Sequence, residues 1–453
     1  MTVQVNSTGD HSHVDEVAGS IRRRPEHTGP PQANPPTANP REGSGRSPFF
    51  GTLWVGQTLA TVSEALFVVI LTLLVLDLAG PGPALGLTLA AAALPRALLL
   101  LPAGVLVDRT DPARVALIST WLRTVPLVAL VALVVLGPPP VAVIAVLAAL
   151  LGALDAAYYP ASMAVLPRVV PEAGLARANA LLQSAESAGD LFGPLAAAGL
   201  VALVGFGGGL GTVTLLYLFA GLALTVFVRR LARATEPVSE PQADPDAGQP
   251  DVGQDESGLR ALREGLSFAR TDPIIRTVLL LLVALNVLVL GPVLVGGAVL
   301  AEQRLGGAAS LGWLLSGFGA GSLLGLLAAG TRPIARRGLV LVGGSVLIGV
   351  GTGALGLVDN IPTAVAVLAV VGVGSGYLGV ALVAWMQEMV PEHLRGRIMS
   401  LVVLATIAFD PLSYALAGLL LPAGLTVLFA ICGGLVLFCA TAAFAVPTLR
   451  RWV

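Results

Sequence analysis

The sequence predicts an all-α membrane protein with twelve transmembrane helices in two pseudo-symmetric six-helix bundles. Hydrophobic residues make up 55% of its 453 residues and charged residues only 12%, whereas a soluble domain carries about 25% charge. Apolar runs of about 20 residues or more, enough for a helix to cross the hydrocarbon core, recur twelve times. A set of side chains also recurs at one fixed offset, which indicates two related halves.

Short polar or Gly/Pro-containing breaks separate the twelve runs. The predicted spans are about 49–78, 84–107, 115–136, 140–164, 178–203, 209–228, 274–299, 310–330, 338–358, 361–386, 397–421 and 423–447. They group into two bundles, residues 48–228 and residues 273–447.

Three segments lie outside the bundles. Residues 1–47 are rich in Pro, Gly, Ser and Asn, a composition that predicts a disordered tail. Residues 229–272 form a charged linker that ends in an amphipathic stretch, which predicts a helix on the membrane surface. Residues 448–453 form the C-terminal tail. We expect both tails and the linker on the cytoplasmic side.

The orientation in the membrane is predicted from the positions of the arginines, which are the only Lys or Arg residues because the chain contains no lysine. Connections after helices 2, 4, 6, 8 and 10 carry arginines, whereas those after helices 1, 3, 5, 9 and 11 carry none. Because basic residues mark cytoplasmic loops, the pattern predicts a multi-pass protein of the cell membrane with both termini in the cytoplasm.

The repeat consists of five residues separated by 220 positions. Val170, Pro171, Glu172, Arg177 and Asp190 recur as Val390, Pro391, Glu392, Arg397 and Asp410. Repeated halves of apolar helices are typical of secondary transporters, whose substrate site lies between the halves.

Missing residue types exclude several functions. Without lysine, the chain can build neither a Walker A loop nor a Schiff base. None of its four histidines lies in an apolar run, which argues against a histidine metal site or proton relay. We expect a protein that is not an enzyme, with no cofactor other than a proton gradient, no metal, and no nucleotide or nucleic-acid partner. Its expected partners are the lipid bilayer, a small-molecule substrate and protons, and we expect a monomer.

Ionisable residues within the spans are the strongest indication of a site, because each is costly in the bilayer unless partnered or hydrated. They are Glu64, Arg96, Asp155, Glu186, Asp190 and Asp410. Acids outnumber Arg96, so some are expected to be protonatable near neutral pH. Glu64, Asp155 and Asp190 are the predicted proton-linked group with Arg96 as counter-charge, although a structural ion pair explains each alone equally well. For Asp410, near Thr406, a helix-kink partner is the favoured alternative.

Further polar and aromatic residues are candidates for the wall of a substrate cavity. They are Gln57, Tyr158, Tyr159, Gln183, Asn286, Trp313 and Tyr377. For Asn286 and Trp313, contact with another helix is an equally good explanation.

The loop after helix 2 carries a recognisable motif. Gly104 is followed by Asp108 and Arg109 and then by Arg114, and this segment resembles the loop signature of the major facilitator superfamily. Asp111 and Ala113 stand where that family usually has a glycine and a basic residue. A weaker copy in the second half ends in Arg336 and Arg337. The resemblance implies the major facilitator fold, and these charges are predicted to form a cytoplasmic gate. Charges that only set the membrane topology are the alternative.

Helix 5 carries a second motif, in which Gly189, Gly193 and Pro194 are followed by alanines. It resembles the Gly-Pro antiporter signature of drug exporters, although close helix packing alone also explains it. The run from Tyr159 to Leu182 is similar to the branch containing enterobactin-type siderophore exporters and macrolide efflux pumps. The arginine that many proton-coupled exporters carry in helix 4 has no counterpart there.

These observations predict a secondary active exporter of a small lipophilic molecule, drug-like, macrolide-like or siderophore-like, working by proton antiport and alternating access. A cavity with few polar side chains in an apolar wall suits such cargo better than a sugar or a phosphate. A proton-linked importer, a uniporter and a transport-inactive partner or sensor remain as alternatives. A lipid-modifying enzyme would require aspartate clusters or a His-rich patch, and neither occurs.

Overall fold

The computed structural model describes residues 49–234, 266–307, 309–329 and 336–450, all within one compact unit. These ranges contain helices and no strand. The predicted tail, residues 1–47, and most of the linker, residues 235–265, lie outside them. At the linker's end, residues 266–271 are helical.

The first half contains five helices. They are α1 (Phe50–Ala79), α2 (Pro83–Asp108), α3 (Pro112–Leu136), α4 (Val141–Val169) and α5 (Glu172–Ala234). The two helices predicted at about 178–203 and 209–228 are both present, and they join directly within α5 at Gly205, where the backbone is not helical. Gly205 has φ +69°, a left-handed conformation that glycine adopts without steric cost. The kink divides α5 into arms at residues 172–204 and 206–234, each long enough to cross a bilayer.

The second half begins with α6 (Pro273–Arg304), α7 (Ala309–Ala329) and α8 (Arg337–Ala354). It continues with α9 (Ile361–Met389), α10 (Glu392–Ile407), α11 (Asp410–Leu420) and α12 (Leu425–Phe444). Eleven helices of the described residues are long and apolar enough to span a membrane, counting residues 394–423 as one span. With both arms of α5 counted, the chain is consistent with the predicted twelve crossings.

Two of the predicted spans are irregular, and in one of them a helix kink near Asp410 was the favoured alternative. Residues Asn286–Leu290 and Pro292–Gly296 of α6 are π-helical, and the span at 394–423 breaks between α10 and α11. The two irregularities face each other. The buried hydroxyl of Ser413 accepts a hydrogen bond from the Gly291 N–H at 2.7 Å and lies 2.7 Å from the Val287 carbonyl, to which it can donate. This contact satisfies backbone groups that a π-turn leaves without regular partners.

Each half packs internally. In the first, α1 packs on α5, α2 on α4, and α3 on both α4 and α5; in the second, α7 packs on α9 and α8 on both α9 and α12. Glycines allow the closest approaches. A Cβ at Gly152 of α4 would overlap the Ala92 carbonyl of α2, and one at Gly321 of α7 would overlap the Ala369 carbonyl of α9. Small residues at such crossings are typical of helix packing in membranes.

The halves meet mainly through α5 with α7 and α2 with α11. A Cβ on Gly86, near the start of α2, would lie 2.6 Å from Gly418 Cα. At that same end, residues 69–76 of α1 and 291–301 of α6 are buried on all sides. Gly312 and Gly319 of α7 also pack closely against residues 190–198 of α5, whereas residues 179–184 of α5, toward the end that carries residues 108–112, are mostly exposed. The closest contacts between the halves therefore lie toward one end, and the first arm of α5 is exposed toward the other.

Candidate functional site

Four charged side chains from four successive helices meet where the halves separate. Glu64 of α1, Arg96 of α2, Arg123 of α3 and Asp155 of α4 form this charge cluster. Arg96 Nε lies 2.9 Å from Asp155 Oδ2, and Arg123 forms a second ion pair with the other oxygen of Asp155. Glu64 is held less tightly, since it lies 3.8 Å from each arginine.

Two tyrosines support the cluster. The Tyr217 hydroxyl of α5 lies 3.0 Å from Glu64 Oε2, to which it donates, and accepts from Arg123 Nη1 at 3.4 Å. The guanidinium of Arg123 also lies 4.6 Å from the ring centroid of Tyr158 and 5.7 Å from that of Tyr217, within the range of cation–π attraction. Two arginines thus face two carboxylates, so the cluster is electrically balanced when both acids are ionised.

Burial differs within the cluster. The Arg123 side chain is 2% exposed and that of Asp155 is 9% exposed, whereas Glu64 is 37% exposed. Asp155 is therefore locked between two arginines away from solvent. Of the two acids of the cluster, Glu64 is the more exposed to the cavity.

Arg123 was not among the predicted site residues, and Arg96 was the only counter-charge expected for the acids. Its position in the sequence could have identified it, because Arg123 lies within the apolar run 115–136. Placing an ionisable side chain there costs as much free energy as placing Arg96 in its own span.

The cluster opens onto a cavity of about 530 Å³ between the halves, within the usual range for a small-molecule site. Nine predicted residues line it: Gln57, Glu64, Arg96, Asp155, Tyr158, Tyr159, Glu186, Asp190 and Pro194. All the charged lining residues come from the first half. The second half supplies a mainly apolar wall, including Leu290, Leu294 and Phe318.

Glu186 and Asp190 stand apart from the charge cluster. Both lie on the first arm of α5, four residues apart, and neither forms an ion pair with a described residue. Gln183 donates a hydrogen bond to Glu186 at 3.2 Å. Asp190 lies at the crossing of α5 with α7, where a Cβ on Gly319 would be 2.6 Å from its carbonyl oxygen. The structure therefore brings Asp190 into the cavity without bringing it to Arg96.

Asp410 and Asn286 sit together at the break between α10 and α11. Asn286 Nδ2 donates to Asp410 Oδ1 at 3.0 Å and to the Thr406 carbonyl at 2.7 Å. A smaller cavity of about 80 Å³ is lined by Asp410 together with Glu64 and Arg96. Asp410 thus bonds to the helix break and borders the charge cluster. Trp313, which is 53% exposed, and Tyr377 do not line the larger cavity.

The predicted gate residues lie at the open end. Asp108 is exposed and forms no ion pair with a described residue. Asp111 instead caps α3 by accepting from the Ala113 N–H at 3.1 Å, and lies 3.4 Å from Arg114. In the second half, Arg337 pairs with Glu388 at 2.6 Å.

The glycine motif of α5 faces α1. A Cβ on Gly193 would lie 2.9 Å from the Ala65 Cβ, and Gly189 also lies against α1. Pro194 lines the cavity. The glycine contacts show close packing of α5 against α1.

Among the described ranges, no group of three or more His, Cys, Asp or Glu side chains is arranged to hold a metal ion.

Comparisons with known proteins agree with this architecture. The Major Facilitator Superfamily pattern matches residues 53–405. The chain is 28% identical to the multidrug efflux pump Tap of Mycolicibacterium fortuitum, over 90% of this chain and 97% of that protein. Among solved structures, the peptide transporter POT in complex with sulfate aligns with TM-score 0.69 and 14% identity, over 90% of this chain and 96% of that one. The nucleoside transporter NupG aligns with TM-score 0.67 and 12% identity, over 88% and 99%. The chain belongs to the major facilitator superfamily and is a membrane transporter, not an enzyme.

Proposed function

We propose that this transporter exports a small lipophilic organic molecule by proton antiport, as a monomer in the cell membrane with both termini in the cytoplasm. The observation that carries the proposal is the charge cluster opening onto a cavity between two halves whose closest contacts lie toward the opposite end. With the orientation indicated by arginine, the cavity faces the cytoplasm, where an exporter loads its cargo. Similarity to Tap, a multidrug efflux pump, favours drug-like cargo.

Glu64 is the group we assign to the proton. Asp155 is neutralised by two close arginines, whereas Glu64 has longer 3.8 Å contacts with the arginines, accepts a hydrogen bond from Tyr217 and is 37% exposed. Adding a proton to Glu64 leaves the cluster with one excess positive charge. Such a change in a partly buried network alters the relative stability of two conformations, which is what coupling requires.

Alternating access follows from the contacts between the halves. Closing the open end requires the halves to rock about the cavity, separating the α2–α11 and α5–α7 crossings at the other end. Rocking of one bundle against the other is the usual motion of transporters built from repeats.

Transport in membrane vesicles of opposite orientation tests the proposal. Inverted vesicles with an acidic interior are expected to accumulate a fluorescent drug such as ethidium and to lose it when a protonophore collapses the gradient. Glu64→Gln is expected to abolish gradient-driven accumulation while retaining exchange of labelled for unlabelled drug, because exchange needs no net proton transfer. Glu302→Gln, an exposed acid outside the cavity, is the matched control and is expected to behave like wild type.

The other outcomes identify the alternatives. Gradient-driven accumulation only in right-side-out vesicles would indicate an importer, and equilibration insensitive to the gradient would indicate a uniporter. Absence of transport in both orientations by folded protein would support a transport-inactive partner.

A further inference from the structure

The smaller cavity, of about 80 Å³, extends from the charge cluster to α11 of the second half. Its ionisable lining residues are Glu64, Arg96, Arg123, Asp155 and Tyr217 of the first half, with Asp410 and Tyr414 of the second. Asp410 is therefore the acid through which the second half borders the charge cluster.

Asp410 carries a charge that its hydrogen bonds do not balance. Its Oδ1 accepts from Asn286 Nδ2 at 3.0 Å, and the same nitrogen donates to the Thr406 carbonyl at 2.7 Å. A neutral amide can stabilise the break between α10 and α11 in this way, but it leaves the carboxylate's charge in place. Asp410 forms no ion pair with a described residue. Its negative charge therefore faces Arg96 across the smaller cavity.

Arg96 is the cation that acids of both halves attract. Within the first half, its Nε lies 2.9 Å from Asp155 Oδ2 and its Nη1 lies 3.8 Å from Glu64 Oε1. Toward the second half, it attracts Asp410 across the cavity that both line. The Arg96 side chain is 29% exposed, whereas that of Arg123 is 2% exposed. Arg96 is thus not enclosed by its own half, and the balance of these attractions sets its position.

Protonation of Glu64 shifts this balance in one direction. With Glu64 ionised, the four charges of the cluster sum to zero and Glu64 draws Arg96 toward the first half. With Glu64 protonated, the cluster carries one positive charge, and Asp410 presents one negative charge to it from the second half. The attraction between the halves beside the α2–α11 crossing is then strongest. Because α2 and α11 are in close contact in this structure, a proton on Glu64 stabilises this conformation relative to one in which they separate.

We propose that Asp410 is a positioning residue of the transport cycle, which attracts Arg96 when Glu64 binds a proton and thereby ties protonation to the contact between α2 and α11. This inference rests on the proposed antiport and adds the residue of the second half through which the proton acts. The direction suits an exporter. The protonated transporter is held with its cavity toward the cytoplasm, where it releases the proton and loads cargo. Loss of the proton weakens the α2–α11 attraction and lets the cavity turn outward.

Distances between spin labels on the two halves, measured at several pH values, test the assignment. The labels are attached at Thr110→Cys and Gln387→Cys, exposed positions near the ends of α2 and α9. The full-length protein is used in nanodiscs, with Cys432 and Cys439 replaced by alanine. From alkaline to mildly acidic pH, this parent protein is expected to raise its ratio of long-distance to short-distance forms about fivefold or more. The exposed control Glu302→Gln is expected to do the same.

Substitutions in this labelled protein separate the charge of Asp410 from its bond to the helix break. In Asp410→Asn the amide oxygen can still accept from Asn286, but the charge is lost, so the pH-dependent change is expected to fall below about twofold. Asp410→Glu keeps the charge and is expected to restore the change. Asn286→Ala removes the hydrogen bond, leaves the charge, and is expected to keep most of the change. Arg96→Gln removes the other partner while Asp155 stays paired with Arg123, and is expected to respond like Asp410→Asn.

Thermal unfolding identifies any variant that fails to fold, and Arg96→Gln provides the test if Asp410→Asn is lost in this way. A pH-dependent change that persists in the folded neutral variants would overturn the inference, as would a parent protein whose distances do not respond to pH. Equal loss in Asn286→Ala and Asp410→Asn would assign Asp410 to the helix break instead. Any of these results together with intact proton-driven drug transport would reject the inference and leave the antiport proposal standing. A change that requires Asp410, in a protein without proton-driven transport, would support the role of Asp410 and reject antiport.

Discussion

Replacing Arg123 by leucine tests whether the charge cluster holds the first bundle together. Arg123 is 2% exposed, pairs with Asp155 and contacts Glu64 and Tyr217. Its removal leaves Arg96 to neutralise two carboxylates. Because breaking a buried pair strands an uncompensated charge, Arg123→Leu is expected to cost about 3–5 kcal/mol of unfolding free energy. Arg168→Leu, which removes an exposed arginine 3.9 Å from Asp111, is the control and is expected to cost about 0–1 kcal/mol.

The unfolding free energy can be followed by titrating detergent-solubilised protein with sodium dodecyl sulfate. Cys432 is buried and Cys439 half-buried, both in α12, so their reaction with a thiol-reactive dye reports on unfolding. The double variant Arg123→Leu/Asp155→Leu restores charge balance between Arg96 and Glu64. Its cost is expected to fall below the sum of the single costs by about 1–3 kcal/mol. Strictly additive costs, or an Arg123→Leu cost as small as that of Arg168→Leu, would refute the reasoning.

Two further substitutions test the packing that positions the cavity. Ser413→Ala removes the hydroxyl that bonds to the α6 backbone and is expected to lower the unfolding free energy by about 1–3 kcal/mol in the same titration. Ser400→Ala is the control, because that hydroxyl bonds within its own helix, and it should change the unfolding free energy little. Equal effects of the two variants would count against the α6–α11 contact. Gly152→Ala places a methyl group against the Ala92 carbonyl and is expected to cost about 1–3 kcal/mol. Gly211→Ala meets open space and should be neutral or stabilising by up to ~1 kcal/mol; a neutral Gly152→Ala would show that α2 and α4 are not closely packed.

The membrane spans could be predicted from the sequence because a bilayer demands long apolar helices, whatever their tertiary contacts. The irregularity near Asp410 was also anticipated, since a helix-kink partner was the favoured alternative for that residue. The π-turns of α6 were not predicted; their backbone bonds to the Ser413 hydroxyl, which is more than 100 residues away in the sequence. The break at Gly205 was predicted, because the glycine-rich stretch around residues 205–209 separates two apolar runs.

The candidate site was predicted in outline. Searching for charges within apolar runs found Glu64, Arg96 and Asp155, and the structure brings these three together. The same search missed Arg123, although it satisfies the same criterion. Which acids share a counter-charge depends on how helices face one another, so the separation of Asp190 from Arg96 required the structure. At the gate loop, Asp111 rather than Asp108 makes the observed ion pair, because only Asp111 is placed to cap α3.

Proton movement during drug transport tests the central claim most directly. Purified protein is reconstituted into liposomes containing the pH indicator pyranine, and a drug gradient is applied without a pH gradient. Proton antiport predicts that drug leaving the liposomes drives protons inward, acidifying the lumen, and that Glu64→Gln abolishes the acidification. Drug movement by wild-type protein with no change in luminal pH would contradict the account.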